Sequence, residues 1–126
     1  MQANTGDLWT WTPAGGGQRA GVAWYMKAGT SPAITALQQP YSGYEVAYQY
    51  SDGTFLTQGS MGLHFWGKMM AGTSPAITAM PDGGYEAAYQ DANGKLETTG
   101  APWGDVRNWG LAMMPGTSPA IAAVQW

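Results

Sequence analysis

Gly29-Thr30-Ser31-Pro32-Ala33-Ile34-Thr35-Ala36-Leu37 decides the fold, because the chain writes it three times. It returns as Gly72-Thr73-Ser74-Pro75-Ala76-Ile77-Thr78-Ala79-Met80 and again as Gly116-Thr117-Ser118-Pro119-Ala120-Ile121-Ala122-Ala123-Val124, with a period of about 43 residues. Outward from that stretch lies a second motif, Tyr44-Glu45-Val46-Ala47-Tyr48-Gln49, repeated as Tyr85-Glu86-Ala87-Ala88-Tyr89-Gln90. A third motif follows: Asp52-Gly53-Thr54-Phe55-Leu56, then Asn93-Gly94-Lys95-Leu96, with Thr5-Gly6-Asp7-Leu8-Trp9 near the start. Motifs that recur in a fixed order mark an internal repeat, and a period of about 20–50 residues belongs to solenoids, propellers and arrays.

Each unit reads as four short strands. The Ser-Pro-Ala-Ile segment is the first, with proline at a strand start, where no ladder donor is needed. The second, Tyr44 to Tyr50, alternates Tyr44, Val46, Tyr48 and Tyr50 on one face with Glu45, Ala47 and Gln49 on the other. Asp52-Gly53 or Asn93-Gly94 then supplies the positive φ of a tight hairpin into the third strand. The fourth contains Trp24, Trp66 or Trp109 and leads to Met69-Met70 or Met113-Met114. One repeat domain spans 1–126, as circularly offset units 2–48, 49–89 and 90–126. Gln2 matches Gln49 and Gln90, so the chain opens at the end of a second strand and stops after a first strand at Trp126. Eleven strands are expected on that count.

The composition agrees with many strands joined by turns: nineteen glycines and eight prolines are more than helices tolerate. Charged residues are only 10%, which argues against self-repelling disorder. With net charge −3 and no basic run, neither nucleic acid nor an anionic membrane is an expected partner. No cysteine means no disulfide and no thiolate metal site. Met1–Thr5 does not resemble a signal peptide, and no apolar run has the length of a membrane span.

Four strands per unit at this period fit two architectures. A β-propeller has one four-stranded blade per unit and closes with about four to eight blades. Three copies would then need assembly between chains, with a dimer of six blades favoured. A single-chain β-trefoil, with pseudo-threefold symmetry, accounts for three copies without a partner. The segment Pro119–Trp126, together with the strand Tyr44–Gln49 and its Asx-Gly turn, resembles six-bladed β-propeller lectins of the fungal and bacterial fucose-binding and tectonin-like type. The whole chain is similar to the Gly-Thr-Ser-Pro-Ala-Ile tandem repeats appended to secreted actinobacterial hydrolases. That resemblance implies an all-β, propeller-like homo-oligomer, secreted and sugar-binding. It does not carry fucose specificity. The fucose lectins place an arginine on the second strand where this chain has Glu45 and Glu86, and the third strand offers Glu97 only once.

Catalysis lacks its parts. His64 is the only histidine, so a serine triad has no other base and a metal site has no other imidazole. The aspartates are scattered singly among turns, and Glu45 and Glu86 are held apart in different units. No enzyme activity, cofactor or metal is expected. Sugar binding needs aromatic faces for C–H surfaces and planar polar groups for hydroxyls. The units repeat that kit as Trp24, Trp66 and Trp109 with Glu45, Gln49, Glu86 and Gln90. Several shallow glycan sites acting together would bind through avidity. The alternative is a structural or protein-interaction repeat whose tryptophans and tyrosines are core.

Overall fold

The computed structural model describes residues 6–19, 25–102 and 106–124. All of its regular structure is β: β1 (Trp9–Thr12), β2 (Gly16–Arg19), β3 (Ala33–Ala36), β4 (Tyr44–Gln49), β5 (Thr54–Gly59), β6 (His64–Lys68), β7 (Ala76–Ala79), β8 (Tyr85–Gln90), β9 (Lys95–Ala101) and β10 (Arg107–Ala112). β3-β4-β5-β6 form one antiparallel sheet in chain order, β7-β8-β9-β10 form a second, and β1-β2 pair as a hairpin. Each four-stranded sheet runs from one Ser-Pro-Ala-Ile strand to the tryptophan strand that follows, and so straddles the offset unit bounds at 48/49 and 89/90. The described residues close no barrel.

The registers repeat as the sequence does. Ile34 faces Val46 and Ile77 faces Ala87, while Ala47 faces Thr57 and Ala88 faces Thr98. The hairpins into β5 and β9 share their backbone bonds: Tyr50 N donates to the Thr54 carbonyl and Asp91 N to the Lys95 carbonyl, both at 2.8 Å. Their side-chain bonds differ, since Asp52 Oδ1 accepts from Thr54 N at 2.9 Å, whereas Asp91, which stands where Tyr50 does, accepts from Lys95 N at 2.8 Å. Gly53 and Gly94 sit at φ +93° and +80°, a conformation that glycine adopts without a Cβ penalty.

The sheets pack face to face. Ala47, Phe55 and Trp66 of the first meet Ile77, Ala87 and Tyr89 of the second, with the Phe55 and Tyr89 rings 4.5 Å apart. On its other face the first sheet packs Val46, Tyr48 and Leu56 against Leu8 and Met26. Burying both faces of β4 and β8 explains why their alternation is not apolar-in and polar-out. Glu45, Gln49 and Gln90 are buried along with Tyr48, Tyr85 and Tyr89.

Positive-φ glycines and side-chain bonds meet in the Gly-Thr-Ser-Pro turns at 29–32, 72–75 and 116–119. Gly29, Gly72 and Gly116 take φ +80°, +78° and +82°. Thr30, Thr73 and Thr117 donate their hydroxyls to Lys27, Met70 and Met114 carbonyls, each at 2.7 Å. The serines then link successive turns: Ser31 N donates to Ser74 Oγ at 2.9 Å, and Ser74 N to Ser118 Oγ at 2.8 Å. Gln49 reaches across from β4 and donates to the Met70 and Thr73 carbonyls at 3.2 and 3.1 Å. Gln90 donates to the Met114 carbonyl at 3.2 Å in the same way.

Ten strands are present among the described residues, against the eleven expected. The third Ser-Pro-Ala-Ile segment, 118–121, is turned and seated like its two predecessors but carries no strand pairing. Its ladder partner in the other units is the Tyr-Glu-x-Ala-Tyr-Gln strand that follows, and no such strand lies beside it among the described residues.

Candidate functional site

Two side-chain clusters recur on equivalent faces of the two sheets. Each is centred on an indole of the outermost strand whose N–H is pinned to a threonine on the neighbouring strand. Trp66 Nε1 donates to Thr57 Oγ1 at 2.9 Å, and Trp109 Nε1 to Thr98 Oγ1 at 2.8 Å. The bond fixes the ring plane and leaves part of the ring in solvent: Trp66 is half-buried and Trp109 is 50% exposed. Two residues earlier on the same strand face stands a flat nitrogen-bearing side chain. His64 stacks on Trp66 at 5.4 Å and 22°, and the Arg107 guanidinium lies 5.8 Å from the Trp109 ring centre.

Behind each indole is the mid-strand glutamate. Glu45 is 0% exposed; its Oε2 accepts from Met61 N at 3.1 Å, and its Oε1 has no hydrogen-bond partner. It fits because Gly59 opposes it on β5, where an added Cβ would lie 2.8 Å from Oε2. Gly100 opposes Glu86 on β9 in the same way, with 2.6 Å to Oε2. Burial pushes the Glu45 carboxyl up to about 7, only partly offset by the Met61 amide. Glu86 is half-buried. Its carboxyl is also raised by burial, with the Arg107 charge and a Thr98 hydroxyl bond pulling it back.

The two clusters differ in what covers them. Over the first lies Tyr85 of the second sheet, its hydroxyl 2.8 Å from Thr57 Oγ1. The second cluster has no following strand over it among the described residues, and there Thr98 turns its hydroxyl to Glu86. His64 Nδ1 is buried without a hydrogen-bond partner beside the first. Glu45 Oε1 and His64 Nδ1 are thus two buried polar atoms of the first cluster without a hydrogen-bond partner.

The residues expected to hold sugar separate into two groups. Trp66 with Glu45, and Trp109 with Glu86, are brought to common clusters. Gln49 and Gln90 are not: they lie at the far end of β4 and β8, fully buried, with their amides on the next turn's carbonyls. They clasp one unit to the next, and a shallow site that pairs Glu45 with Gln49 is not formed. Trp24 lies outside the described residues. His64 and Arg107 differ in type and each stands two residues before a strand tryptophan. That position was the available signal, since period 2 puts such a pair on one face. Among the described residues no three His, Asp or Glu side chains gather as a metal site. No helix there is long and apolar enough to cross a membrane. No protein-family model, curated protein or solved structure matches the chain, so its reading rests on its own residues.

Proposed function

We propose that the chain is a non-catalytic carbohydrate-binding repeat whose sugar sites lie along the rims of the sheets, at Trp66 with His64 and at Trp109 with Arg107. One observation carries this reading. In both sheets an indole is held by its N–H with its ring half open, beside a planar nitrogen-bearing side chain and in front of a carboxyl. A sugar ring stacks its C–H face on such an indole, and its hydroxyls bond to the imidazole or guanidinium. Pinning the indole in advance lowers the ordering cost of binding. Each rim is shallow, so affinity for a monosaccharide is weak and repeated glycans bind by avidity.

The sheets in this proposal are blades of a propeller. Stacking of successive four-stranded meanders, with the Ser-Pro-Ala-Ile strands adjacent, supports that arrangement. Closure would come from a second copy giving a homo-oligomer, a dimer first, in a secreted setting where glycans are met.

The burial of Glu45, Gln49 and Gln90 favours a second reading, a structural repeat whose polar side chains only lock units together. A glycan array separates the two. The lectin reading expects a coherent sugar class bound by the native protein and lost in both Trp66→Ala and Trp109→Ala. Folded native protein that binds nothing on the array leaves the structural repeat standing.

A further inference from the structure

A groove of about 430 Å³ runs along the open face of the second sheet, between Leu96, Trp109 and Leu111 on one side and Pro119, Ala120 and Ile121 on the other. Its occupant can be worked out from the first sheet, where the equivalent groove is filled. There Ala47, Phe55, Thr57 and Trp66 form the floor, and β8 lies in it. The Tyr85 hydroxyl sits on Thr57, the Tyr89 ring packs on Phe55, and the Ala88-to-Tyr85 stretch pairs with Ala76 to Ala79.

The second sheet repeats that floor position by position. Ala88, Leu96, Thr98 and Trp109 stand where Ala47, Phe55, Thr57 and Trp66 do, by strand register and by the shared indole-to-threonine bond. The inner wall is also in place. Gln90 holds the Met114 carbonyl and Ser118 receives the Ser74 amide, as Gln49 and Ser74 do one unit earlier. Segment 119–124 is thereby aligned as β7 is, yet it has no ladder partner, and Leu111 and Val124 remain largely exposed.

We infer that this groove is a strand-acceptor site for an extended Tyr-Glu-x-Ala-Tyr-Gln segment of the same repeat type. The segment adds antiparallel to residues 120–123, its main chain supplying the ladder bonds and its side chains the specificity. Its first tyrosine hydroxyl reaches Thr98, which gives up its bond to Glu86. Its second tyrosine ring lies on Leu96, where Leu stands in for Phe55. Trp109 becomes half-covered, as Trp66 is.

The probe is a fluorescein-labelled synthetic peptide with the sequence of Gly83–Asp91, titrated with the full chain and followed by anisotropy. Light scattering gives the mass of the chain on the same sample. The expected result is saturable binding that is lost when both peptide tyrosines become serine. Binding also weakens at least tenfold in Leu111→Arg, a change at an exposed groove wall whose fold is checked by circular dichroism. Equal binding of a scrambled peptide would overturn the inference, as would no binding by folded, monomeric chain. Self-association through this face that the peptide cannot displace would also overturn it, in favour of a second copy docking sheet against sheet.

Discussion

Glu45 sits between Tyr44 and Val46 on a strand buried on both faces, one of its carboxyl oxygens bonded to the Met61 amide and the other to nothing. Such a group is costly when ionised, and folding raises its affinity for a proton. The sign follows from linkage. With the folded value near 7 against an ordinary 4.5, the contribution is fully present below pH 4.5 and is lost as pH rises through 7. The shift corresponds to about 3 kcal/mol at most. Glu86 and Glu97 are displaced in the same direction, burial being the first cause in both. Urea unfolding should therefore show greater stability at pH 5.5 than at pH 8. Glu45→Gln should flatten most of that difference and raise stability at pH 8. If the variant keeps the full pH dependence, Glu45 is not the group responsible. Thr57 is the second informative residue, since it accepts from Trp66 and meets the Tyr85 hydroxyl. Thr57→Val strands two buried polar groups and should cost about 1–3 kcal/mol by denaturant unfolding. A cost near zero would mean that water replaces both bonds.

At the scale of elements, the short strands hold together through turns as much as through ladders. β3 and β7 are only four residues each, and the Gly-Thr-Ser-Pro turns before them carry the links between units. The repeat, the Asx-Gly hairpins and the strand-forming Tyr-Glu-x-Ala-Tyr-Gln segments were all legible in the sequence, because periodicity and turn chemistry are local signals. The role of the glutamines was not. Gln49 and Gln90 stand at the strand ends, and only the neighbouring turn shows that their N–H groups are already committed. Gln49→Ala removes two such bonds and should cost about 1–3 kcal/mol in denaturant unfolding, with sugar binding unchanged. Loss of sugar binding at full stability would return Gln49 to the site. The third Ser-Pro-Ala-Ile segment makes the complementary point. Its sequence matches β3 and β7, but a strand exists only where a partner ladder does.

At the scale of the whole molecule, the large apolar side chains exposed among the described residues include Trp109, Leu111 and Val124 beside the groove on the second sheet, Trp11 and Ile34 around a second groove, and Phe65 on β6. The facing sides of the two sheets interlock through Phe55, Trp66 and Tyr89, so sequence patterning alone could not separate core aromatics from binding aromatics. Trp66 belongs partly to each class. Its ring edge packs into the cluster with Phe55 and Tyr89, and the remainder is open at the rim beside His64. The sugar-binding account comes down to whether the pinned, half-open indoles meet ligand. Indole N–H signals of ¹⁵N-labelled protein, followed while galactose, mannose, fucose and N-acetylglucosamine are each titrated to high millimolar concentration, report on every tryptophan separately. The account expects at least one sugar to shift the Trp66 and Trp109 signals together while Trp11, exposed but without a recurring partner set, stays still. If no sugar moves either signal, or if only Trp11 responds, the rims are packing surface and the sugar-binding reading is wrong.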